Sequence, residues 1–91
     1  MRLGEGWTRL ADELAADLAA LEPPGELLRA RVDQHGLLVF AVNLPRESRA
    51  AGHQLVRAYE QRAIMTCEHC GGAGRIRSGA VLRILCDHCC D

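Results

Sequence analysis

Two Cys-x-x-Cys pairs near the C-terminal end carry the residues best suited to chemistry, Cys67-Glu-His-Cys70 and Cys86-Asp-His-Cys89. Fifteen residues (71–85) separate them, within the spacing of a four-thiolate zinc site. A Cys-x-x-Cys turn brings two sulfurs onto one ion, and Gly71 permits the tight turn after the first pair. A second such turn at the other end of a hairpin completes a tetrahedron. The pattern therefore predicts one structural Zn2+ on Cys67, Cys70, Cys86 and Cys89. Four thiolates leave no open coordination position, so this ion would neither polarise a carbonyl nor generate hydroxide.

Five cysteines compete for four places, and Cys90 is the spare. Exchange of one ligand for Cys90, His69 or His88 stays open from sequence. Two other chemistries use paired cysteines. Disulfides belong to an oxidising compartment, yet Glu5, Asp12, Glu13 and Asp17 interrupt the Ala- and Leu-rich start and leave no signal-peptide core. A redox pair belongs in a thioredoxin-like βαβ context, which the spacer lacks. No stretch approaches the length of a membrane span. The expectation is a cytoplasmic protein with reduced thiols.

Other catalytic groupings are missing. There is no defensible Ser-His-Asp order, no Gly-rich phosphate loop and no carboxylate pair that can be placed in a cleft. His35 and His53 stand alone. The chain is expected not to be an enzyme.

The elements that position the cysteines follow from hydrophobic spacing. Trp7, Leu10, Leu14, Leu18 and Leu21 form one stripe of an amphipathic helix. The run Glu22-Pro-Pro-Gly-Glu26 stops it. Leu27–Asn43 reads as two strands joined near His35-Gly36. In the first, Leu28, Ala30 and Val32 are expected to face inward; the second, apolar on both faces, should be central or covered on each side. A second helix is expected over Leu44–Met65, with Pro45 in its first turn and Ala51, Leu55, Tyr59 and Ala63 on its buried face. Gly52 weakens the first half of that assignment. Ile76, Val81, Leu82, Ile84 and Leu85 flank a turn at Ser78-Gly79 and supply a ribbon hairpin. The fold class is α+β: two helices on a small antiparallel β-sheet (residues 1–66), followed by a C-terminal four-cysteine zinc ribbon (residues 67–91). Trp7, Phe40 and Tyr59 are the only aromatic residues among 91, so aliphatic side chains must build the core.

The stretch Cys67-Glu-His-Cys-Gly-Gly-Ala-Gly74 satisfies C-x-x-C-x-G-x-G and resembles the repeat of the DnaJ-type cysteine-rich domain and the single-zinc anti-TRAP fold. Cys86-Asp-His-Cys-Cys-Asp91 lacks the glycines of a second repeat, so a two-zinc DnaJ architecture is not expected. More widely, the order Gly6-Trp7, the pair around "VDQHGLLVF", "RAYEQRA", "TCEHCGGAGRIR" and "LCDHCC" is similar to a group of small zinc-ribbon proteins of bacteria, phages and prophages. Their middle segment resembles "KEKFGGLRFY". Gly36, Leu38 and Phe40 match it, whereas Asp33, Gln34, His35 and Val39 stand where basic or aromatic residues would. The resemblance implies architecture and carries no activity.

Two functions follow as expectations. The first is binding to a protein partner, as a phage or mobile-element inhibitor or adaptor acting, for example, on a CRISPR or other host-defence complex. Net charge of −1 and the absence of catalytic groups favour it. The alternative is nucleic-acid binding through Arg75, Arg77 and Arg83, the candidate contact residues of the ribbon. Glu68, Asp87 and Asp91 offset those charges, and the ribbon has no aromatic residue to stack on bases. Homodimerisation through the second strand or the helix stripe is a further expectation the sequence leaves open.

Overall fold

The computed structural model describes residues 3–77 and 83–89. Helix α1 (Glu5–Ala19) is followed by strands β1 (Glu26–Val32) and β2 (Leu38–Asn43), helix α2 (Arg49–Ile64), and short strands β3 (Arg75–Arg77) and β4 (Arg83–Leu85). The strands form two separate antiparallel pairs, β1–β2 and β3–β4. The architecture is α+β, with the cysteine cluster at its C-terminal end. No helix among the described residues is long and apolar enough to cross a membrane.

The α1 stripe forms the centre of the core. Trp7, Leu10, Leu14 and Leu18 are buried, and Leu21 packs against the cluster from beyond the helix end. The chain reverses there, and Gly25 N–H returns to the Leu18 carbonyl at 2.9 Å. The β1–β2 hairpin closes on Asp33, whose Oδ1 accepts from the N–H groups of His35 and Leu37. Gly36 takes the left-handed conformation, φ 84°, which the turn requires.

Two expectations for the hairpin need correction. Leu28 does not face inward: the register slips between Leu27 and Arg29, and Leu28 is 59% exposed. The bulge hands the inward place to Leu27, opposite Val42, before Ala30–Phe40 and Val32–Leu38 continue the buried face. Strand β2 is not central, since its sheet has two strands. Its second apolar face is partly covered instead, with Val39 half-buried and Ala41 exposed. Glu60 of α2 reaches over to accept from Phe40 N–H at 3.4 Å, giving that edge group a partner.

The second helix also differs in detail. Pro45 precedes a single 3-10 turn, Arg46–Ser48, and the α-helix begins at Arg49. Its buried face runs through Gly52, Tyr59 and Ala63 with Leu55 and Val56 half-buried, whereas Ala51 is exposed. Gly52 is a packing choice. A Cβ there would sit 2.5 Å from Leu44 Cδ2, so the missing side chain makes room for Leu44. Tyr59 ties the helices together by donating its hydroxyl to Asp17. Arg62 stacks 4.8 Å above the Tyr59 ring and reaches Glu13 at 3.5 Å. Burial and the Asp17 carboxylate push the Tyr59 hydroxyl pKa up.

Candidate metal centre

The first cysteine turn is built by backbone hydrogen bonds. Cys67 N–H donates to Gly72 O at 2.8 Å, and Gly71 N–H to Cys67 O at 2.9 Å. Gly71 holds φ 86°, a conformation costly for other residues. Gly72 N–H points at Cys70 Sγ from 3.5 Å. A bridge between Thr66 and Ala73 closes the base of the turn. The second turn is simpler, with Cys89 N–H donating to Cys86 O at 3.2 Å. Strands β3 and β4 bring the two together, and Glu68 N–H bonds to Ile84 O at 2.9 Å, two residues before Cys86.

The Sγ atoms of Cys67, Cys70, Cys86 and Cys89 all lie within 4.8 Å of one another. Those of Cys70 and Cys86 are 3.6 Å apart. A tetrahedron with metal–sulfur bonds of about 2.3 Å has sulfurs about 3.8 Å apart. A disulfide would need about 2.05 Å, and all four thiols are free. The donor set and spacing thus fit a metal ion, and these four cysteines could hold one. Soft thiolates arranged tetrahedrally suit zinc or iron.

Crowding four thiols governs their ionisation. Burial opposes loss of the Cys67 proton, but the N–H groups of Cys70, Cys86 and His69 and the Cys70 thiol outweigh it and bring Cys67 down to about 6. The N–H and thiol of Cys89 lower Cys86. Cys89 is pushed up to about 12, chiefly because its thiol donates to Cys86 and Cys67. Sulfurs so arranged cannot all carry charge without a compensating cation.

The cluster among the described residues consists of the four cysteines alone; His69 and His88 are exposed outside it. Cys90, Asp91 and the Ser78-Gly79 turn lie outside the described residues. The three ribbon arginines do not project into open solvent as isolated charges. Arg75 and Arg77 converge on one Asp87 oxygen, at 3.1 and 2.7 Å. Arg83 pairs with Glu68 at 2.7 Å. Two of the acids that offset these charges in the sequence, Glu68 and Asp87, are their direct partners in space.

Sequence reasoning missed one neighbour of the centre, the start of α1. Gly6 N–H donates to Glu68 O at 3.1 Å, and Trp7 Nε1–H to Thr66 O at 3.1 Å. The signal was Gly6 immediately before the tryptophan, a glycine inside the first helical turn where a better former would otherwise stand. Ile84 of β4 is fully buried and belongs to the same cluster as Trp7 and Leu10. No protein-family model, curated protein or solved structure matches this chain.

Proposed function

We propose that the protein is a non-catalytic binder whose four cysteines hold one structural Zn2+, and that it works by contact with a protein partner. The observation that carries this reading is the four-thiol cluster, whose donors would close the coordination sphere of a tetrahedral ion. Reducing conditions in the cytoplasm would keep the thiols available to metal. An inhibitor or adaptor role in a phage or mobile element, against a host-defence complex, is the biological setting we propose; it rests on the sequence resemblance alone.

Two features support protein over nucleic acid as the partner. Arg75, Arg77 and Arg83 are each engaged by a carboxylate, which phosphate would have to displace. Large apolar side chains are also presented to solvent, Met65 at 66% and Ile76 at 52% exposure. Gly74 N–H bonds to Met65 O, so these two lie on neighbouring segments.

The test is native mass spectrometry of protein purified under reducing conditions without added metal, followed by mixing with host extract and with random-sequence DNA and RNA. One zinc per chain and a stoichiometric protein complex support the proposal. A mass four hydrogens light and free of metal sinks the metal assignment. Salt-sensitive binding to nucleic acid without a protein complex sinks the choice of partner.

A further inference from the structure

The first turn of α1 rests on the backbone of the first cysteine turn. A Cβ on Gly6 would stand 2.5 Å from Gly71 N and 2.8 Å from Gly71 Cα, and would overlap Cys67 O. A Cβ on Gly4 would overlap Glu68 O and lie 2.9 Å from its carbonyl carbon. These neighbours are main-chain atoms, which cannot swing aside as a flexible side chain can. Gly6 N–H and Trp7 Nε1–H then bond to carbonyls of Glu68 and Thr66. Every one of these partners lies in or beside Cys67–Gly72, the segment whose sulfurs face Cys86 and Cys89.

We propose that the metal centre is the dock for α1, so that metal occupancy controls whether the first turn of the helix and Trp7 are held in the core. This rests on the reading that the cluster holds Zn2+. An ion joining the two cysteine turns fixes the shape of the surface that Gly4 and Gly6 fit. Linkage makes the effect reciprocal: a change in α1 that prevents docking must weaken metal binding, although no ligand is altered. The sign is diagnostic, because Ala is a better helix former than Gly. Propensity alone would leave Gly6→Ala neutral or stabilising, whereas docking makes it weaken the metal site.

Trp7 is the chain's single tryptophan and is 1% exposed, so its fluorescence reports on the dock directly. In the full chain under reducing conditions, removal of Zn2+ with a chelator should move Trp7 emission to the red, and Zn2+ alone should restore it. Competition against a zinc indicator should show Gly6→Ala binding Zn2+ roughly 5- to 150-fold more weakly, the usual range for coupled sites. Gly52→Ala, which perturbs packing against Leu44 instead, should stay within about twofold, as remote sites do. If Gly6→Ala does not fold, Gly4→Ala at the N-cap replaces it, read by zinc affinity alone against Gly52→Ala, because at a cap Ala is no better than Gly. Trp7 emission that ignores zinc removal, or a folded dock variant with wild-type affinity, overturns the proposal while leaving the metal assignment standing. A chain that binds no zinc overturns both.

Discussion

Replacing Ile84 with Ala should destabilise helices that lie outside the ribbon. Ile84 is fully buried in β4 and belongs to the cluster built on Trp7, Leu10, Leu14 and Leu18. Its cross-strand partner Ile76 is 52% exposed. The same truncation at the two positions therefore separates burial from strand propensity. At Ile84 the loss combines transfer free energy with a cavity, about 2 to 5 kcal/mol; at Ile76 it should be below about 1 kcal/mol. A chain of this size has a total stability of roughly 5 to 14 kcal/mol, so the first change removes a large share. At about 3 kcal/mol the midpoint falls by roughly 12 to 24 °C. The assay is thermal unfolding at fixed free Zn2+, followed by the helical circular-dichroism signal of α1 and α2. If Ile84→Ala melts with the wild-type helical transition and loses only zinc, then Ile84 does not bind the ribbon into a common core, and the reasoning fails.

The remaining expectations concern the site, two titrating groups and the ribbon charges. Cys70→Ser and Cys86→Ser should each lose bound metal, read as mass in native spectra, whereas Cys90→Ser should retain it; loss of metal from the Cys90 variant would reassign the ligands. Tyr59→Phe removes the hydroxyl bond to Asp17 and should cost about 1 to 2 kcal/mol in urea unfolding. Because the folded Tyr59 pKa is raised, its contribution is complete below about pH 10 and is lost as pH rises beyond; a variant matching the wild-type alkaline limb would refute this. The Leu37 N–H bond, helped by that of His35, holds the Asp33 carboxyl below its ordinary 3.8. Its stabilisation is present above that value and fades as pH falls through the lower folded one, so Asp33→Asn should flatten the acid limb of an unfolding profile. Asp87→Asn removes the carboxylate shared by Arg75 and Arg77 and should steepen the salt dependence of polyanion binding. Equal retention of both forms on a heparin column would show that Asp87 does not restrain those arginines.

What was legible in the sequence depended on how local the signal was. The α1 stripe could be read because a helix repeats its buried face every three or four residues, and Trp7 through Leu18 kept that period without interruption. The cysteine cluster could be read because a metal imposes ligand type and spacing along the chain itself. Strand β1 could not be read fully. Its alternation gave Leu28 an inward place, but a bulge costs one residue of register and no composition marks it. Gly52 looked like a defect in a helix when judged by propensity; only the position of Leu44, in the segment before the helix, explains it.

The start of α1 shows the same limit at the site. Gly4 and Gly6 stand at the opposite end of the chain from the cysteine turn that they touch, and nothing in either segment announces the other. Gly4 suits the N-cap, but local preference argues against Gly6, inside the helix, where glycine is the poorest former after proline. A glycine inside the opening turn makes sense where another backbone passes at contact distance, and the carbonyl of Cys67 does so at Gly6, as that of Glu68 does at Gly4. Reading the chain as a core followed by a ribbon divides it by sequence order. The packing sets the first turn of the core helix against the first pair of candidate metal ligands. A metal held there would stabilise more than a terminal appendage, because Trp7 carries the contact from Thr66 into the middle of the hydrophobic cluster.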